Sequence, residues 1–152
     1  MNKRKSVPGF TLIEILVVVA LIAILAAITF IAINPSKNFA DTRNAQRSSD
    51  VSQILNAVTQ YTSEQGKAIG DFGAINTCGV GVTKIGTTTS STSGEWVNLT
   101  TLLVDSYIVG IPSDPSGYSA TDSGYTICKT TGGRIQVDAP HAENSKTISV
   151  RR

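Results

Sequence analysis

From Phe10 to Ile33 the chain runs almost without a polar residue: 21 of 24 positions are apolar, the exceptions being Thr11, Glu14 and Thr29. As a helix rising about 1.5 Å per residue, such a run is roughly 36 Å long, enough to cross a hydrocarbon core of about 30 Å. A helix lying on one side of a soluble core would carry a polar stripe, and this one has none. The remainder is a different material. Of the 119 residues from Asn34 to Arg152 only 39 are apolar, so the whole-chain figures of 41% apolar and 16% charged average two populations. With 152 residues there is room for one domain with a core beside the apolar run, and not for two. A net charge of +2 argues against a basic protein that coats nucleic acid and against an acidic disordered tail.

The flanks orient the segment. Lys3, Arg4 and Lys5 precede it with no acid among them, which favours a cytoplasmic N-terminus. Lys37, Arg43 and Arg47 follow it, diluted by Asp41 and Asp50. A cleaved secretory signal has an apolar stretch of about 7–15 residues and a small-residue cleavage site, whereas this run ends in Ile33-Asn34-Pro35-Ser36. A plain signal anchor fits the composition equally well. Two residues separate the cases. Glu14 is the only charge between Lys5 and Lys37, and a carboxylate inside an apolar helix costs on the order of 2.5–3.5 kcal/mol on the lenient insertion scale, so it needs a partner or a function. Gly9 lies between the basic leader and Phe10, where a side-chain-free backbone meets a peptidase most easily.

The run Lys3-Arg4-Lys5-Ser6-Val7-Pro8-Gly9-Phe10-Thr11-Leu12-Ile13-Glu14 closely resembles the class III signal peptide of type IV pilins and type II secretion pseudopilins. The resemblance implies cleavage between Gly9 and Phe10 by a prepilin peptidase on the cytoplasmic face, and N-methylation of the new terminal Phe10. The mature chain would have 143 residues, with 10 basic against 11 acidic and a net charge of −1 once Lys3, Arg4 and Lys5 are gone. Glu14 then lies four residues from a free amine. In a bundle of such helices, Glu14 of one copy is expected to pair with the Phe10 amine of its neighbour, each relieving the other's desolvation. Small and β-branched residues along Val17-Val18-Val19-Ala20, Ala23 and Ala26-Ala27 suit close helix packing.

The resemblance also implies an α+β, pilin-like fold: a long N-terminal helix, one half membrane-spanning and the other amphipathic, packed on a small antiparallel sheet. The corresponding divisions are a leader at 1–9, a transmembrane and filament-core helix at 10–36, an amphipathic helix at 37–66 and a globular head at 67–152. Implied partners are further copies of the chain in a helical filament, minor pilins, the prepilin peptidase, an inner-membrane assembly platform with its cytoplasmic ATPase, and inner-membrane lipid before assembly. The chain would be a single-pass inner-membrane protein with its N-terminus in the cytoplasm, and after assembly part of an extracellular or periplasmic filament. No nucleic-acid partner is expected, and the basic pair Arg43 and Arg47 reads as a solvated face or an inter-subunit salt bridge.

Beyond the apolar run, Pro35 removes a backbone donor and clashes with the preceding turn, so the helix either kinks there or ends and restarts with Ser36 as cap. Family behaviour favours a flexible kink. From Asn38 to about Glu64 an amphipathic pattern follows: Val51, Ile54, Leu55, Val58 and Tyr61 have helical spacing, Arg43, Arg47, Asp50, Gln53 and Gln60 are polar, and Gly66 is a candidate C-cap. Thr87 to Ser93 is an unbroken Ser/Thr run that reads as an exposed loop, bare or O-glycosylated, and Asn98-Leu99-Thr100 is a sequon by pattern. The spacing of Trp96, Leu99, Leu102, Leu103 and Tyr107 predicts a helix over 95–107. Strands are expected at 124–130, 134–138 and 147–150, the first two joined by a turn at Thr131-Gly132-Gly133, giving a three- or four-stranded antiparallel sheet.

Cys78 and Cys128 are the only cysteines. In an oxidising compartment they most simply form one disulfide, with free thiols as the alternative. Catalytic chemistry is not expected. His141 is the only histidine, no cysteine neighbours it in sequence, and Gly79-Val80-Gly81 reads as a turn rather than a nucleotide loop. Asp114-Pro115-Ser116-Gly117, with Asp122 nearby, also reads as a turn. Some major pseudopilins bind calcium in this region, so a weak oxygen-ligand site in these C-terminal loops stays open as a minor alternative, although the ligand pattern is thin; no other metal or cofactor is expected. The leading expectation is thus a subunit of a pilus-like filament, with a type II secretion pseudopilin or a non-polymerising, membrane-anchored binding module as the alternatives.

Overall fold

The computed structural model describes residues 9–86, 95–119 and 121–152. It divides into two compact units, one ending at Asn38 and the other spanning Phe39–Arg152; the Ser/Thr run and the leader up to Pro8 lie outside the described residues. Helix α1 covers Leu12–Ile33. Its start is fixed by Thr11, and none of its 22 residues is buried. The single hydroxyl inside it is satisfied by the helix itself, Thr29 Oγ1 donating to the carbonyls of Leu25 at 2.8 Å and Ala26 at 2.9 Å. An apolar helix with its own polar groups internally paired is what lipid demands.

The chain leaves α1 at Asn34, which takes the left-handed conformation with φ of 44°, and α2 (Pro35–Ser63) begins at once. Proline is accommodated as the first residue of the new helix, where its missing N–H has no helical partner to lose. The junction is therefore an end and a fresh start rather than a kinked continuous helix. Ser36 is inside the first turn and does not cap it; Asn34 does, its Oδ1 accepting from the Lys37 N–H at 3.3 Å. Gly66 also falls beyond the end of α2, in a separate turn at φ of 83°.

Within the second unit, α2 buries a stripe through Ala40, Asn44, Arg47, Val51, Ile54, Val58 and Tyr61, with Asp50, Leu55 and Ala57 beside it. The lower part of this stripe is the apolar one read from the spacing. It joins a core with Phe72, Ile85, Val97, Leu99, Leu103, Tyr125, Ile127 and Val137. Among the described residues the sheet has five strands in the order β2-β1-β3-β4-β5, with β1 at Thr83–Gly86, β2 at Trp96–Asn98, β3 at Asp122–Lys129, β4 at Ile135–Ala139 and β5 at Ile148–Arg151. The α+β architecture is as expected. The sheet is mixed rather than antiparallel, because β1 and β2 run parallel, with Ile85 opposite Val97; the other pairs are antiparallel.

The helix expected over 95–107 is largely absent. Trp96–Asn98 is drawn into β2 by pairing with β1, and only one helical turn, α3 (Thr100–Leu103), remains. Sheet pairing and burial of Val97 override a helical spacing that local propensity enforces only weakly. The β3–β4 turn falls where its glycines predicted, Gly133 adopting φ of 81° and donating to the Thr130 carbonyl at 2.9 Å. The Cys78–Cys128 disulfide ties the segment before β1 to β3, and the backbones are laddered beside it, the Cys78 N–H donating to the Lys129 carbonyl at 3.0 Å.

Candidate functional site

Four residues make up the start of the described part of the first unit. Gly9 and Phe10 are non-helical and exposed, Phe10 standing 86% in the open. Thr11 is the N-cap of α1, and Glu14 occupies the third helical position. The two form a complete capping box. The Glu14 N–H donates to Thr11 Oγ1 at 3.3 Å, while Glu14 Oε2 accepts from the Thr11 N–H at 2.8 Å and from its hydroxyl at 2.7 Å. Thr11 is the residue that sequence reasoning left without a role, although the T-x-x-E spacing before an apolar run is the signature of such a box. Glu14 is thus not without a partner inside its own chain. Its second oxygen retains capacity for a further donor, and none of the box's bonds involves Gly9.

The second cluster lies on the polar part of the α2 stripe. Arg47 was read as solvated or inter-subunit; it is instead fully buried and paired within its own chain, Nε to Asp114 Oδ2 at 2.7 Å and Nη1 to Glu143 Oε2 at 2.9 Å. Arg43 makes the neighbouring contact, Nη2 to Glu143 Oε1 at 2.6 Å. Asn44 completes the clasp with two backbone bonds to Glu143, donating to its carbonyl and accepting from its N–H, each at 2.9 Å. One helical turn thereby fastens both the 114–117 turn and the β4–β5 connection. Glycine is required at position 124, where φ is 81° and a Cβ would collide with the Gly117 carbonyl and Asp114; a Cβ at Gly117 would displace the His141 ring. Asp50, also expected on the polar face, is buried and accepts from Tyr125 Oη at 2.6 Å and Gln46 Nε2 at 2.7 Å. Among the described residues, every buried side-chain polar atom has a partner.

The electrostatics follow from these contacts. Glu143 is held down to about 2, first by hydrogen bonds from Arg43 and then by those from Arg47. Burial alone would raise the Asp114 carboxyl, but Arg47 and the N–H groups of Ser116 and Gly117 outweigh it and hold the group below its ordinary value. Burial first, and then the bond to Asp50, raises the Tyr125 phenol. The cluster is built to keep charges paired. Asp114, the residue around which a calcium turn would be drawn, already has its carboxylate taken up by Arg47.

Of the site residues read from the sequence, Gly9, Phe10 and Glu14 come together at one end of the first unit, Pro35 opens α2 at its other end, and Cys78 and Cys128 are bonded in the head. Compared with known families, residues 4–30 fit the prokaryotic N-terminal methylation motif, the class III signal peptide of type IV pilins and pseudopilins. No curated protein and no solved structure matches the chain. The chain therefore carries a pilin-type precursor signal continuous with an apolar helix suited to single-pass membrane anchoring, joined to an α+β head.

Proposed function

We propose that the chain is the precursor of a structural, non-catalytic subunit of a type IV pilus-like filament. A prepilin peptidase cleaves after Gly9, Phe10 is N-methylated, and the mature subunit polymerises through α1. The observation that carries this reading is the coincidence of the methylation motif over residues 4–30 with a helix whose apolar side chains are all left in the open. Before assembly, lipid solvates that surface; in a filament, other copies of α1 replace the lipid. Glu14, which costs least where a cation is near, then sets the register by accepting from the Phe10 amine of an adjacent copy. Inner-membrane platform proteins and minor pilins are the expected partners.

A pseudopilin of type II secretion shares this layout. The pairing of Asp114 with Arg47 favours the pilin reading over a calcium-binding pseudopilin, since it removes the carboxylate such a site would need. Filaments sheared from cells that express the chain provide the test. The expected result is a chain with Phe10 as its N-terminus in the sheared fraction, and filaments missing from a knockout. A chain found solely in membranes, with surface filaments unchanged in the knockout, would favour the anchored binding module and overturn the proposal.

A further inference from the structure

The capping box has a consequence for the bond two residues upstream, and this inference rests on the processing reading above. We infer that Thr11 is a positioning residue for cleavage of the Gly9–Phe10 bond. It starts α1 after the scissile amide and so presents that amide to the peptidase as non-helical chain.

Without such a stop the helix could begin further upstream. Pro8-Gly9-Phe10 directly precedes Thr11, and proline is favoured as the first residue of a helix. A start at Pro8 would place the Gly9–Phe10 amide in the first helical turn, with its carbonyl engaged by the backbone four residues on. Hydrolysis adds water across that amide: hydroxide equivalent to the Gly9 carbonyl carbon, the proton to the Phe10 nitrogen, leaving a carboxylate and an amine. Attack needs the carbonyl free and its faces open. The 22-residue apolar helix downstream acts as a template on which another turn would grow, because propagation is easier than nucleation.

The structure shows what resists that growth. Thr11 holds the extended conformation, φ −84° and ψ 150°, and the box is closed from both sides. The Thr11 N–H, which would otherwise find its acceptor in a carbonyl upstream, is taken up by Glu14 at 2.8 Å. Gly9 and Phe10 remain outside the helix. A Cβ on Gly9 would meet nothing within 4 Å, so the backbone at this position is open to approach. Glu14 thereby has a role in the precursor that depends on its ability to accept a hydrogen bond, separable from the charge it contributes to assembly.

The test is the rate at which full-length precursor, in membranes, is cleaved by prepilin peptidase, read by mass spectrometry of the N-terminus. Thr11→Val keeps shape and removes the cap; Thr11→Ser restores it; Glu14→Gln keeps the reciprocal acceptor without the charge. Formation of the Cys78–Cys128 disulfide in each variant reports that the head has folded. The expected result is cleavage of Thr11→Val slowed about fivefold, the ratio that corresponds to about 1 kcal/mol, the ordinary worth of an N-cap. Thr11→Ser and Glu14→Gln are expected within about twofold of the parent chain. Thr11→Val cleaved at the parental rate would overturn the inference, and so would Glu14→Gln slowed as much as Thr11→Val, since charge and not capping would then govern the step. A parent chain left uncut by an active peptidase would overturn the processing reading itself.

Discussion

Along α1 the apolar side chains from Leu12 to Ile33 stand in the open and none is buried, whereas the head takes the Arg47 guanidinium and the Asp114 carboxylate fully out of solvent. The two regions invert the usual arrangement in opposite senses. α1 is suited to a solvent other than water, and its few polar groups are closed locally by the Thr11–Glu14 box and the Thr29 back-bonds. In the head, charges are buried because each has a partner in the same chain. A surface that is apolar and unpaired leaves room for assembly; a polar interior that is fully paired leaves little, and fixes which loops lie on α2. On the proposed reading, the difference gives self-association to one region and shape to the other.

Changes that unbalance the head should be the largest. Arg47→Met strands Asp114 without its cation, and loss of one member of a buried pair costs about 3–5 kcal/mol. Urea unfolding of the variant head should show the drop, and Arg47→Met combined with Asp114→Leu should recover much of it. Recovery would mean the pair specifies loop placement more than it adds stability. Replacing Cys78 and Cys128 by serine removes a cross-link with a sequence separation of 50; the expected loss is about 2–4 kcal/mol in the same measurement. The opposite intrusion, Val18→Arg, puts a charge where α1 has none and should disfavour membrane insertion by about 2.5–3.5 kcal/mol, read from the integrated fraction. Tyr125→Phe removes the donor that meets Asp50 at 2.6 Å and should cost about 1.5–3 kcal/mol.

Acid supplies the mildest challenge. The folded-state value of Glu143, about 2, lies below its ordinary 4.5, so the folded protein binds its proton less readily than the unfolded chain. Its contribution is complete above about pH 4.5 and is lost as the pH falls toward 2. The effect is modest because Glu143 keeps 31% side-chain exposure. Urea midpoints should fall between pH 5 and pH 3, and less steeply in Glu143→Gln.

How much of this was legible in the sequence depends on the range of the interactions involved. The apolar run, the processing motif, the α2 stripe from Val51 to Tyr61 and the hairpin at Thr131-Gly132-Gly133 are local patterns, and each appears where its period or turn chemistry placed it. The mixed sheet was not legible, because β1 and β2 are four- and three-residue strands whose pairing depends on segments distant from their own local pattern. Arg47 misled for a related reason. A polar residue on an amphipathic helix reads as solvated until its partners are known, and Asp114 and Glu143 lie 67 and 96 positions away. Thr11 was legible but unread: the T-x-x-E box stood in plain view beside a stronger motif.

The account turns on what covers the exposed face of α1, and a photo-crosslinking residue placed at Ile22 measures that directly. In membranes of assembly-deficient cells the predicted adducts are with lipid, and in sheared filaments they are with α1 of another copy. Adducts confined to lipid in every fraction, or to the chain's own head, would contradict it.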